Sequence, residues 1–147
     1  MAGFKFRLET VLGLAIRIQD QKAQAMADAQ AALQAEEARL QGYLSQQAAT
    51  RVELLAAQQQ GDLQSIRWGL DFLARLAGQE ASQRAVAQVA AEKVETARAE
   101  LMTAAQKVQV LEKLKKKARE DWQKKQDRIE ALFIDELATI RYAREGS

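Results

Sequence analysis

The chain has 147 residues, with 22 basic and 20 acidic side chains and no histidine, cysteine or proline. Without histidine or cysteine there is no nucleophile–histidine triad, no ordinary zinc site and no disulfide framework. Apolar residues make up 48% of the chain but aromatics only 5%, and alanine supplies much of the difference, so the expected core is a thin seam between helices.

The N-terminus, MAGFKFRLETVLGLAIRIQ, carries Lys5, Arg7 and Glu9 and has no small-residue cleavage site, so it does not read as a secretory signal. No apolar run approaches the ~18–20 residues that cross a bilayer. These features predict a soluble, cytoplasmic protein. Helical spacing holds from 4 to 58. Val11, Ala15, Ile18, Lys22, Ala25 and Ala29 step by four and three, and Leu33, Glu37, Leu40, Leu44, Gln47, Arg51 and Leu54 continue. Two successive steps of four around Ala29 read as a stutter that relaxes a supercoil.

QQQGD ends this helix, with Gly61 as the stop and Asp62 as N-cap of the next helical segment. A short apolar segment at 62–78 forms the bend, and a last helix runs from 79 to 144. Its seam is the clearest signal in the chain: Ala90, Val94, Ala97, Leu101, Ala104, Val108, Leu111, Lys115, Ala118, Trp122, Lys125, Ile129 and Leu132 alternate steps of four and three. Such a run satisfies the coiled-coil criterion. The expected fold is all-α, one coiled-coil domain spanning 1–147, built as a long two-helix antiparallel hairpin with a short helical segment at the bend. Helices of this length would reach roughly 80–100 Å.

Chemistry is mostly excluded. A di-iron bundle needs Glu-x-x-His pairs, so Glu92, Glu95 and Glu100 read as a solvated face. Glu36 and Glu37 are adjacent and point apart on a helix, which rules out a carboxylate dyad. No GxxxxGK[ST] loop cradles phosphate. The chain is therefore expected to be no enzyme, with no cofactor and no metal. Residues 113–128 hold eight basic and three acidic side chains, but acids interrupt them and the nearest aromatic, Trp122, lies on the seam. That pattern fits a solvated or protein-facing surface better than a nucleic-acid grip.

The order of motifs resembles the flagellar export protein FliJ family over almost the whole chain. FKFRLETVLGLA at 4–15 looks like the family's F-x-F-x-L-x-x-V-L opening. LQSIRWGLDFLARL at 63–76 resembles its middle segment, and VETARAELMTAAQKVQVLEKLKKKAREDWQKKQDRIEALFIDELA at 94–138 resembles its C-terminal helix. Two departures stand out: LFI at 132–134 is more apolar than the family pattern, and Gly69 stands where an aromatic is common.

The resemblance implies a non-catalytic coiled coil, similar to the central stalk of rotary ATP synthases. Its partners would be the flagellar export ATPase hexamer, the cytoplasmic domain of the membrane export gate, and export chaperones. It implies neither nucleic-acid binding nor membrane insertion, and a place in the cytoplasm at the inner face of the membrane, at the flagellar base. On this reading Phe4, Phe6, Arg7, Leu8 and Leu12, with Leu137, Ile140 and Arg141, meet the ATPase ring. Tyr43, Phe72 and Leu76 at the bend meet the gate. A stalk of a virulence-type secretion system or rotary ATPase, a generic coiled-coil scaffold and a nucleic-acid-binding rod remain the alternatives.

Overall fold

Ala, Gln, Leu, Lys and Glu favour helix, and no proline interrupts them. In the computed structural model, which describes residues 3–146, they form two helices, α1 at Glu9–Gln60 and α2 at Leu63–Glu145. The architecture is an all-α hairpin of two long helices packed against each other, with no strand among the described residues. Contacts group the chain into two compact units, Asp20–Met102 and Met1–Gln19 with Thr103–Ser147.

The turn lies in the first of these units. Gly61 has φ +68°, the left-handed conformation that glycine adopts without steric penalty. Its N–H donates to the Gln58 carbonyl at 3.3 Å, and the Asp62 N–H donates to the Ala57 carbonyl at 3.0 Å. That pair of bonds is a Schellman motif, which satisfies two carbonyls left open at the end of α1. Asp62 then caps α2: the Ser65 N–H donates to Oδ1 at 3.2 Å and the Ser65 hydroxyl to Oδ2 at 2.6 Å. The Ser65 hydroxyl, followed by its backbone N–H, holds the Asp62 carboxyl below the usual carboxylate range.

The segment 62–78 is helical as expected, but it does not stand apart. α2 passes through Gly78 without a break. An isolated glycine inside a helix costs only about 1 kcal/mol, too little to end one whose flanking residues pack.

Within Asp20–Met102 the cross-helix contacts run antiparallel. Lys22 pairs with Glu100 at 3.0 Å, Gln83 reaches back to Glu36, Gln47 to Glu80, and Gly69 faces Leu54. The seam of α1 steps through Lys22, Met26, Ala29, Leu33, Glu36 and Leu40, and then Tyr43, Gln47, Thr50, Leu54 and Ala57. This is an unbroken alternation of four and three, so the expected stutter is absent. Ala25, Glu37 and Arg51 are exposed, and their places are taken by Met26, Glu36 and Thr50. Polar residues are accepted in the seam because each finds a partner. The Gln47 amide donates to Glu80 at 2.7 Å, Thr50 to the Gln46 carbonyl at 2.8 Å, and the Gln83 amide to the Glu36 carbonyl at 2.9 Å. Leaving such groups buried without partners would cost about 1–3 kcal/mol each. The Gln47 amide, and then Arg84, hold the Glu80 carboxyl below its ordinary range.

In the other unit the same phase appears at Leu8, Leu12, Ala15 and Gln19, while Val11 and Ile18 lie exposed at the margin. On α2 the expected seam holds through Ala104, Val108, Leu111, Lys115, Ala118 and Trp122. Lys115 is tolerated there because its ammonium reaches Glu9 at 2.9 Å. Beyond Trp122 the expectation fails: Lys125, Ile129 and Leu132 are exposed. The first helix also begins later than expected. Residues 3–6 are not helical and 7–8 form a turn, closed by the Glu9 N–H donating to the Phe6 carbonyl at 3.1 Å. Phe4, Phe6 and Leu8 are half-buried while Lys5 and Arg7 are exposed. That alternation has the period of two of an extended strap, not of a helix.

Candidate functional site

The strap belongs to the unit that contains the end of α2. Phe4 packs a tilted ring against Trp122, with centroids 6.0 Å apart, and Phe6 and Leu8 line the same groove with Leu114, Ala118 and Lys125. Leu12 is buried at 5% exposure. Four of the five N-terminal residues expected to meet a ring are thus engaged in packing, and only Arg7 is exposed. The reason is local. Once the strap leaves the helical path, its apolar side chains cover seam that α1 does not reach.

The C-terminal residues of the expected ring site behave differently. α2 has 83 residues against 52 in α1, and every residue from Asp127 to Gly146 is exposed. Leu137 and Ile140 are about half exposed, and Arg141 lies beside Glu145 at 3.6 Å in an exposed pair that is worth little in water. Leu137 lies some 22 Å along α2 from Trp122 at ~1.5 Å per residue. The structure therefore does not bring the two halves of the expected site together.

What it reveals is a longer surface. The seam phase of α2 continues past Trp122 through Gln126 to Ile129, Phe133 and Ile140, with Leu137 beside them. Ile129 is 61% exposed and Phe133 59%. The sequence places Ile129 and Leu132 on the seam, and LFI at 132–134 reads either as a longer seam or as a more apolar contact with a ring. The signal that locates this surface is the off-centre turn. A hairpin with unequal arms leaves the end of the longer arm without its partner.

At the bend, Leu76 is the most buried large side chain, at 1% exposure. It lies in the core, unlike the other two residues of the expected gate site. Tyr43 is half-buried. Phe72, 42% exposed, is accessible, and so is Trp68 one turn before it. Both line an open groove with Glu53, Ala56 and Ala57 beside Gly69. A side chain at Gly69 would fill part of it: a Cβ there would lie 2.5 Å from Leu54 Cδ2 and 2.8 Å from its Cγ. Trp68 was not among the expected site residues, although its four-residue spacing from Phe72 places both on one face.

No group of three or more carboxylates among the described residues is arranged to hold a metal ion, and no described helix is long and apolar enough to cross a membrane. The model of the flagellar FliJ protein family matches residues 4–147. The chain belongs to the FliJ family. No curated protein and no solved structure matches it. Membership gives the chain a role in flagellar protein export, in a family of non-catalytic components associated with the export apparatus. Two exposed apolar surfaces thus stand on the described residues, one near the end of α2 and one at the turn.

Proposed function

We propose that this chain is the non-catalytic stalk and regulator of the flagellar type III export ATPase, promoting assembly of the hexameric ring and coupling it to the membrane export gate. It would work in the cytoplasm at the flagellar base, peripheral to the membrane. The observation that carries the reading is the apolar face at Ile129, Phe133, Leu137 and Ile140, which continues the intramolecular seam and has no helix of this chain against it. Contiguous exposed apolar surface of this kind marks a protein contact. A stalk acts on a ring only through unequal contacts with its subunits, because an equilibrium shifts by no more than the difference in contact energy between states. A single helical face can make such contacts, since it points in one direction at a time.

The gate surface on this proposal is Trp68 with Phe72, supported from beneath by Leu76 and flanked by Tyr43. The family match favours the flagellar system over a virulence-type or rotary stalk.

The test uses the full chain and its purified cognate ATPase. Wild-type protein should raise ATP turnover and ring assembly, and Ile129→Ala with Phe133→Ala and Ile140→Ala should return both to the level of the ATPase alone. Trp68→Ala with Phe72→Ala should lose gate binding while sparing stimulation. Full stimulation by the triple variant would place the ring contact elsewhere.

A further inference from the structure

Apart from Lys115, paired with Glu9, and Lys125, at the strap groove, the cations of the run at 113–128 have no role in the packing described above. Around α2, at about 100° per residue, Lys113, Lys117, Lys124 and Arg128 fall within an arc of about 60°. All four are exposed, and the arc faces away from the seam residues Lys115, Ala118 and Trp122. Lys116, Glu120 and Asp121 flank it. The fold adds cations from a distant part of the sequence. Because the strap turns Phe4 and Phe6 inward, Lys5 and Arg7 are exposed, at a groove also lined by Lys125. None of these eight cations, Lys116 included, forms an ion pair with another described residue, whereas Lys115 between them is paired with Glu9. A basic stripe along α2, with Lys5 and Arg7 on the strap, thus forms a partial collar immediately before the exposed apolar end.

The chemistry of the collar selects its partner. Insertion into a bilayer surface calls for large apolar side chains beside the cations, and between Lys113 and Arg128 the outward arc has none. Single-stranded nucleic acid calls for stacking aromatics, and Trp122 is on the seam against Phe4. Duplex nucleic acid and an acidic protein surface both need only the cations, and membership in a family associated with the export apparatus favours the protein. We infer that the collar docks on an acidic rim of the export ATPase ring and steers the apolar end of α2 into it, so that collar and apolar face control different rates. This rests on the function proposed above. Charges at the edge of a contact act mainly on association, because they attract before contact is made, while buried apolar groups act on dissociation.

The experiment measures association and dissociation of full-length protein with purified ATPase, from about 20 mM to about 300 mM salt. The wild-type association rate should fall about ten-fold or more across that range. A variant carrying Lys113→Gln, Lys117→Gln, Lys124→Gln and Arg128→Gln should start about ten-fold slower at low salt, lose most of the salt dependence and dissociate at the wild-type rate. Glutamine matches lysine and arginine in helix preference, so circular dichroism should be unchanged. Lys113→Arg with Lys117→Arg and Lys124→Arg should keep the fast association. By contrast, Ile129→Ala with Phe133→Ala should speed dissociation. An association rate indifferent to salt and to the glutamine variant overturns the inference while leaving the stalk proposal standing. Absence of any wild-type association overturns both. Tighter, collar-dependent binding to phosphatidylglycerol vesicles or duplex DNA than to the ATPase overturns the acidic-protein assignment.

Discussion

At the scale of single residues, burial separates side chains that look alike in the sequence. Leu76 and Phe72 are four apart in one apolar run, yet one is buried at 1% exposure and the other stands at 42%. Leu76→Ala should therefore cost about 2–5 kcal/mol, while Phe72→Ala should cost about 1 kcal/mol; chemical denaturation of the two variants distinguishes them. Gly69 sets two effects against each other. Alanine gains about 1 kcal/mol of helix preference, but its Cβ would meet Leu54 at Cγ, 2.8 Å away, and not only at the mobile tip. Leu54 would have to leave its rotamer in a packed seam, at about 1–3 kcal/mol. Overpacking wins, so Gly69→Ala should lower the melting temperature, and a rise would show that the seam can widen there.

Two carboxyls carry a pH prediction. Asp62 and Glu80 are both held below their ordinary range, by Ser65 and by Gln47 with Arg84. Groups whose folded values are depressed stabilise the fold above their unfolded values, near about 4. That stabilisation is lost as pH falls through the lower, folded values. Thermal melting between about pH 6 and pH 2.5 should thus show a falling midpoint below about 4. Asp62→Asn keeps a capping oxygen but cannot titrate, so its midpoint should fall less steeply. Identical slopes would show that the cap does not contribute to acid sensitivity.

Among the elements, the strap and the exposed end of α2 make opposite contributions. Phe4 and Phe6 cover part of the α2 seam, so removing residues 1–8 should expose Trp122. With Trp68→Phe as background, the remaining emission should shift to the red and thermal stability should drop. The end of α2 buries nothing among the described residues. Truncation after Gln126 should leave the cooperative melting of the remaining hairpin nearly unchanged, and a large loss of stability would mean that the end is already covered by a contact. Both elements had a visible trace in the sequence. F-K-F-R-L alternates with a period of two, yet the helical apolar spacing beyond it invited reading the helix back to Phe4. The α2 seam keeps its period beyond Trp122, but periodicity reports only which face is apolar, not whether anything lies opposite.

For the whole molecule, much was decided by composition and local signals. The absence of proline and the sustained four-three spacing dictate helices, because propensity and amphipathic period agree over long windows. Gly61 followed by Asp62 dictates the turn, because one residue supplies the left-handed conformation and the next a capping carboxylate. The motif order carried the family. Tertiary structure decided what depends on a partner's position. It chose Leu12 over Val11 and Glu36 over Glu37 for the seam, since a single unbroken phase keeps α1 facing α2 and hydrogen bonds satisfy the polar residues that phase brings inward. It buried Leu76 and left Trp68 outside, because Gly69 admits Leu54 and draws the helices together on that side. It also left Ile129 and Phe133 bare and gathered Lys5 and Arg7 with the basic run. The last two outcomes turn on where one arm of the hairpin stops against the other. A pattern within one helix carries no information about that.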